Sequence, residues 1–280
     1  MRTDLAKESR MQIPQLCGIR EETETVDGTE ILRIDIQNEE AAKKLDKPIG
    51  RYITLTSSKE SMMDREQRAY LAKALANELF HLTGPFRHAM VIGLGNRYVA
   101  ADALGTRTAE HVFVTRHIHA HMKDVLPKGT PIVSAFCANV LGITGMETAE
   151  VVSALVREVQ PEIVILVDSL AASDVAHLGC VVQCNDSGIA PGAGVGNFRN
   201  VLSKETLHVP VIAIGVPLVV SAEAILDSYG CSIENEELRY MIVAPKEIDA
   251  MVKDAAHVLT DAINLALFGD NYTELEKLLR

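Results

Sequence analysis

The chain has 280 residues, of which 48% are hydrophobic and 4% aromatic, with no tryptophan and a net charge of −11. The negative charge and the lack of basic runs argue against direct nucleic-acid binding. The charged N-terminus and the absence of long apolar runs argue against a signal peptide and a membrane span. Five cysteines, an odd number in mostly apolar surroundings, indicate free thiols in a reducing, cytoplasmic setting.

The first third of the chain predicts an irregular start, two strands and a helix. Residues 1–29 are polar and are expected to be irregular. Apolar residues then alternate with polar ones around Ile34 and again around Ile53, which predicts an antiparallel pair of strands or a sheet edge. A leucine stripe over 71–82 predicts a helix that ends at Gly84.

From residue 88 onward, predicted strands alternate with predicted helices. The strands are expected at 88–94, 131–136, 162–167, 180–184 and 210–216, and the helices at about 102–121, 147–160, 223–229, 246–267 and 273–280. This alternation predicts an α/β fold of phosphorylase/hydrolase-like type. Its central sheet is mostly parallel or mixed, with helices on both faces, and residues 1–280 form a single domain.

Asp102 is the first candidate site residue. It follows an apolar run and the turn-forming Gly93 and Gly95, and it precedes a segment with helical spacing. A carboxylate at the end of a parallel strand lies where open α/β sheets place their chemistry. The alternative is that Asp102 only caps the following helix.

Asp168 is the second candidate, at the end of the apolar run 163–167. Two aspartates that meet at one sheet edge would titrate as a pair, activate a water and protonate a leaving amine. The alternative is that Asp168 accepts hydrogen bonds from the turn that follows it.

A glycine-rich loop follows the predicted strand 180–184. Asp186 begins it, and Gly192 and Gly194 belong to its GAGVG segment, which matches neither a dinucleotide nor a phosphate-loop pattern. These three residues are predicted to bind substrate, with the loop forming one wall of a cleft at the edge that carries Asp102 and Asp168. The alternative is an inert surface connection.

No metal or cofactor is predicted. His117 and His121 have a spacing that can bind metal, but no third ligand is evident near them. Cys137 has no histidine assigned to it by sequence, so packing is its expected role.

Several long motifs occur together and in order. They are RTDLA at 2–6, GLGN at 93–96, DALG at 102–105, VTRH at 114–117, GITGMET at 142–148, VDSLAA at 167–172, DSGIAPGAGVGN at 186–197, VPVIAIGVPLVV at 209–220 and APKEIDAMVKDAAHVLTDAINLAL at 244–267. In these motifs the chain resembles the germination proteases of spore-forming bacteria. These endopeptidases initiate degradation of small acid-soluble spore proteins during germination.

The resemblance implies more than the residues alone do. It implies a fold similar to hydrogenase-maturation peptidases and an atypical aspartic peptidase with Asp102 and Asp168 as the catalytic pair. It also implies a homotetramer in the cytoplasm of the spore core that needs no metal. Family members are usually zymogens with a short propeptide before the RTDLA segment, so this chain is expected to be a mature form or a member without a propeptide.

Two other functions stay open on the sequence. One is a metal-dependent peptidase of the maturation type, with an aspartate and a histidine as ligands. The other is a non-enzymatic binding protein, because a fold alone does not establish an activity.

Overall fold

A mixed β-sheet runs through the protein in the computed structural model, which describes residues 3–58, 64–192, 200–231, 236–239 and 241–279. The strands are β1 (Ile19–Val26), β2 (Thr29–Ile36), β3 (Gly50–Thr56), β4 (His88–Gly93), β5 (Ile132–Cys137), β6 (Ile163–Ala172), β7 (Val181–Asn185), β8 (Val211–Ser221) and β9 (Ile242–Val243). Their order among the described residues is β1-β2-β3-β7-β8-β6-β4-β5, with β9 paired to β8.

The sheet has two halves that differ in strand direction. Strands β8, β6, β4 and β5 are parallel to their neighbours within that group and form the parallel half. Strands β1, β2, β3 and β7 pair antiparallel and form the antiparallel half, and β7 joins β8 in the antiparallel sense as well.

Helices connect the strands and cover the sheet. They are α1 (Ala6–Gln12), α2 (Glu39–Leu45), α3 (Arg65–Thr83), α4 (Leu104–Ala109), α5 (Arg116–His121), α6 (Leu141–Thr144), α7 (Thr148–Val159), α8 (Lys204–Leu207), α9 (Ala222–Ser228), α10 (Glu236–Arg239), α11 (Ile248–Phe268) and α12 (Tyr272–Leu279). Short 3-10 helices occur at Ala100–Asp102, Lys123–Val125, Val175–His177 and Gly269–Asn271. No helix in the described ranges is long and apolar enough to cross a membrane.

The inner strands of the parallel half are buried on both faces, as strand β6 shows, whereas edge strand β5 is only partly buried. Ile165 lies in the core formed with α3 and α11, whereas Leu166 lies in a second core that includes Val156 of α7. Adjacent residues of a strand point to opposite faces, so a strand covered by helices on both sides must be apolar throughout. The predicted α/β class with helices on both faces is therefore confirmed.

The clearest differences from the predicted secondary structure lie in two segments. Residues 19–26, expected to be irregular, form edge strand β1, whose largely exposed side chains give it a polar sequence. The helix expected over 102–121 is broken, because Thr115 bonds to Val133 of β5 through its backbone N–H and its side-chain oxygen. The sheet is mixed, the second of the two predicted alternatives, because strand β7 runs antiparallel to β8.

Candidate active site

Asp102 lies in a tight connection between β4 and α4. The chain leaves β4 at Gly93 and turns at Gly95, which has φ of +93°. Asp102 then ends a 3-10 helix, and its Oδ2 accepts a hydrogen bond of 2.8 Å from the backbone N–H of Asn96. The N-cap residue of α4 is Ala103, so a simple helix-cap role does not describe Asp102.

Glycines allow this connection to pack against β6. A Cβ atom on Gly95 would lie 2.1 Å from the backbone oxygen of Asp102, and one on Gly105 would lie 2.2 Å from the carbonyl oxygen of Val167. Real Cβ contacts are not this short, so both positions need glycine. The backbone of α4 thereby lies directly on the residue that precedes Asp168.

Asp168 is the sixth residue of strand β6, which continues to Ala172. The prediction that this strand ends at 167 is wrong, because β6 stays paired with β8 through a register shift between Leu170 and Ala171. Neighbouring β4 does end there, since Gly93 pairs with Val167. Asp168 is therefore the first residue of β6 beyond the end of β4, and it is 5% exposed. Its Oδ1 accepts a hydrogen bond of 2.9 Å from Ser169 N–H.

Asp102 and Asp168 line one cavity of about 280 Å³, which we call the acidic cleft. A third aspartate, Asp4 from the N-terminus, also lines it. The described lining residues include no lysine, arginine or histidine. The cleft therefore concentrates carboxylates in a largely apolar wall, an arrangement suited to acid–base chemistry.

The predicted substrate-binding residues divide between two places. Gly192, with φ of +78°, lines the acidic cleft together with residues 189–191. Asp186 is absent from the described lining residues, and its Oδ1 accepts a hydrogen bond of 2.7 Å from Arg51 N–H at the start of β3. The antiparallel direction of β7 carries the chain first to that position, and the loop then returns toward the cleft. Gly194 lies outside the described residues.

Sequence reasoning missed Asp4. Its backbone N–H donates to Ala171 O at 2.9 Å, and its Oδ2 accepts from Ala171 N–H at 2.8 Å. Burial raises the pKa of Asp4, although the hydrogen bond from Ala171 and the nearby Lys47 ammonium lower it. The one available signal was its position within the RTDLA motif.

The histidine and thiol candidates lie elsewhere. His117 and His121 are exposed on α5, and within the described ranges no group of three or more His, Cys, Asp or Glu side chains could hold a metal ion. Cys137 donates a hydrogen bond through Sγ to Thr106 O at 3.4 Å, and burial raises the pKa of its thiol. A raised pKa keeps the thiol protonated and disfavours a nucleophilic thiolate.

These features define an α/β protein with an aspartate-lined cleft beside the point where a central parallel strand ends. The family model described as Germination protease matches residues 1–229. The chain belongs to the germination protease family, which makes it a peptidase of spore germination.

Relatives and one solved structure add to this comparison. Germination proteases of Caldanaerobacter subterraneus subsp. tengcongensis, Clostridium perfringens strain 13 and Bacillus cereus strain AH187 are 38%, 34% and 31% identical. Each alignment covers 95% of this chain and 94%, 95% and 93% of the relative, respectively. The [NiFe] hydrogenase maturation protease HycI of Thermococcus kodakarensis KOD1 is 18% identical over 65% of this chain and 98% of that protein. Its TM-score of 0.35 is too low for any functional argument.

Proposed function

We propose that the protein is an endopeptidase that starts the degradation of small acid-soluble spore proteins, using Asp102 and Asp168 to activate a water molecule. The observation that carries this proposal is that both aspartates line one cavity although they lie 66 residues apart in the chain. Family membership supports the protease activity, and the acidic cleft supports the aspartic chemistry.

The proposed reaction uses one ionised and one protonated carboxyl group. Two carboxyl groups that share a site do not ionise together easily, so at working pH one of them retains a proton. The ionised group removes a proton from water as the water oxygen attacks the peptide carbonyl carbon. The protonated group then donates its proton to the leaving nitrogen as the C–N bond breaks.

The walls of the cleft are suited to an extended peptide. Val99 and Ile242 line the acidic cleft and are 49% and 42% exposed, so they offer an apolar rim to a substrate. Gly192 lets the loop backbone approach a bound chain, and we extend this wall to Gly194 on sequence grounds. Asp186 is not included, because its carboxylate caps the start of β3.

The proposed setting follows the family. We place the enzyme in the cytoplasm of the spore core, acting as a homotetramer without a cofactor. The net charge of −11 supports a protease that takes DNA-coating proteins as substrates without itself binding DNA.

Asp102→Asn and Asp168→Asn test the proposal against purified small acid-soluble spore protein. Each variant is expected to fold normally and to lose at least about a hundredfold in kcat, since general acid–base groups contribute about 10²–10⁴-fold. The double variant should be little worse than either single one, because the two groups act as a unit. Asp254→Asn, on α11 and paired with Arg68, is the matched control.

Two results would contradict this proposal. Turnover close to that of the unaltered protein in either single variant would remove that aspartate from the mechanism. Loss of activity in EDTA that one added metal restores would instead support the metal-dependent alternative. We expect activity to survive chelation.

A further inference from the structure

Residues 3–8, which we call the N-terminal segment, form hydrogen bonds with strands β6 and β7, which lie more than 150 residues later in the chain. Asp4 pairs with Ala171 through two hydrogen bonds. The side-chain amide of Gln183 donates to Asp4 O at 2.9 Å and accepts from Ala6 N–H at 2.7 Å. The segment is thereby fixed beside the half of β6 that follows Asp168.

Two further side chains anchor the segment. Leu5 is fully buried in a core with Leu170 and Ala172 of β6. The Glu8 carboxylate accepts hydrogen bonds from the backbone N–H groups of Ser173 and Asp174 and from the Ser173 hydroxyl. The Glu8 oxygens are therefore committed to holding the chain, and Glu8 lines neither the acidic cleft nor the cavity beside it.

Asp4 differs from Glu8, because only one of its carboxylate oxygens is committed. Oδ2 accepts from Ala171 N–H, whereas Oδ1 has no hydrogen bond to any residue in the described ranges. Asp4 lines the acidic cleft and also a neighbouring cavity of about 160 Å³. The two cavities share Leu170, Ile189 and Ala190 as well, so Asp4 lies at their junction.

Asp4 Oδ1 is not among the buried unpaired atoms of the described ranges, so water in the cleft can reach it; a peptide that displaces this water must replace its hydrogen bond. Burial raises the pKa of Asp4, in part against the Ala171 N–H hydrogen bond and the nearby Lys47 ammonium, so a further donor would favour its charged form. A peptide in the cleft carries N–H groups that must also be satisfied once water is excluded. One hydrogen bond between them satisfies both requirements.

We infer that Asp4 is a substrate-binding residue whose Oδ1 accepts a hydrogen bond from an N–H group of the peptide in the acidic cleft. This inference rests on the proposed peptidase function and adds a third aspartate with a different role. Asp102 and Asp168 handle protons of the reaction, whereas Asp4 orients the chain that is cut.

Asp4→Asn tests this role with little change of shape. Ala171 N–H requires an acceptor, so the asparagine must turn its oxygen toward Ala171 and present its NH₂ group to the cleft. An acceptor of substrate N–H thereby becomes a donor. With small acid-soluble spore protein we expect KM to rise about tenfold with kcat nearly unchanged. Tm should fall somewhat, because Lys47 loses its nearby carboxylate.

Glu8→Gln is the matched control, because Glu8 is a buried acid of the same segment outside both cavities. It should lower Tm and leave KM unchanged. If Asp4→Asn leaves KM unchanged, the inference is overturned. The same holds if both variants lose activity only in proportion to their loss of Tm.

A binding measurement separates this inference from the proposed function. In the Asp168→Asn background, adding Asp4→Asn should raise the Kd for the spore protein about tenfold. If the unaltered protein does not cleave the spore protein, the proposed function fails, and this Kd comparison still decides the role of Asp4. Equal affinity with and without Asp4→Asn, or no binding at all, overturns the inference.

Discussion

The parallel and antiparallel halves of the sheet have opposite surroundings. Strand β6 is buried along nearly its whole length, whereas none of the eight residues of edge strand β1 is buried. The antiparallel half instead carries ion pairs, such as those of Arg33 with Glu24 and with the buried Glu78. Hydrophobic burial on both faces supports the central strands, β7 included, whereas the outer antiparallel strands β1 and β2 are partly exposed and carry charges.

This difference explains where the candidate site lies. In the parallel half, the pairing of β4 with β6 ends at Val167, so Asp168 has no paired residue of β4 beside it. The connection that carries Asp102 lies next to this position. Antiparallel neighbours alternate in direction and leave no such common edge. The antiparallel half reaches the site through Gln183 of β7 and the loop that follows β7.

The largest expected contrast comes from replacing one glycine by alanine beside each half of the sheet. Gly105→Ala would place a Cβ atom 2.2 Å from Val167 O and 2.5 Å from Leu94 O, both backbone atoms that cannot move easily. We expect a loss of more than about 3 kcal/mol in the free energy of unfolding, together with loss of peptidase activity.

Gly28→Ala is the counterpart in the β1–β2 hairpin. No atom lies within 4 Å of the added Cβ, and the φ of +79° is the source of strain. The expected loss is about 1–2 kcal/mol with activity retained. Urea unfolding of both variants measures the contrast, and equal losses would show that close packing at Gly105 is not special.

The next largest effect concerns the N-terminal segment, which links the two halves. Glu8→Gln should cost about 1–3 kcal/mol at pH 7, because several hydrogen bonds to a buried carboxylate weaken together. Burial would raise the pKa of Glu8, but hydrogen bonds from His177, Thr3 and Ser173 outweigh it and hold that pKa below its ordinary value of 4.5.

The sign of the pH dependence follows from this lowered pKa. The Glu8 carboxylate contributes its full stabilisation at pH values above its unfolded-state pKa. That stabilisation is lost as the pH falls through the lower pKa of the folded state. The difference in Tm between the unaltered protein and Glu8→Gln should therefore be largest near pH 7 and shrink below about pH 4.5. A difference that stays constant down to pH 3.5, scanned calorimetrically in steps of about half a pH unit, would contradict this account.

The smallest expected effect comes from removing one methyl group in each half. Ile165→Val, in fully buried β6, should cost about 0.5–1.5 kcal/mol. Ile19→Val, in partly exposed β1, should cost about 0.5 kcal/mol or less. Urea unfolding midpoints, with an unchanged m-value, measure the loss of stability in both variants. An equal loss in Ile19→Val and Ile165→Val would contradict the contrast.

The parallel half was predictable because its sequence is unambiguous. Apolar runs that contain β-branched residues locate β4 and β6, and the position of Asp168 after such a run identifies it as a candidate. The resemblance to germination proteases is confirmed by family membership over residues 1–229. The roles of Asp102 and Asp168 remain predictions that the proposed variants test.

The remaining features depend on contacts that no local pattern records. Strand β1 is polar because it is an edge strand, so periodicity does not reveal it. The break between α4 and α5 depends on Thr115 meeting β5, and the place of Asp4 depends on Ala171. Each is a tertiary contact that overrides the local preference of a short segment.

The position of the N-terminal segment has a consequence for synthesis of the chain. Its partners Ala171 and Gln183 lie 167 and 177 residues after Asp4 and Ala6, respectively. A ribosome makes residues 3–8 long before β6 and β7, and these residues have no binding surface until both strands have been made. The acidic cleft further requires Val219 and Ile242, so a nascent chain cannot contain a complete site before residue 242 has been made.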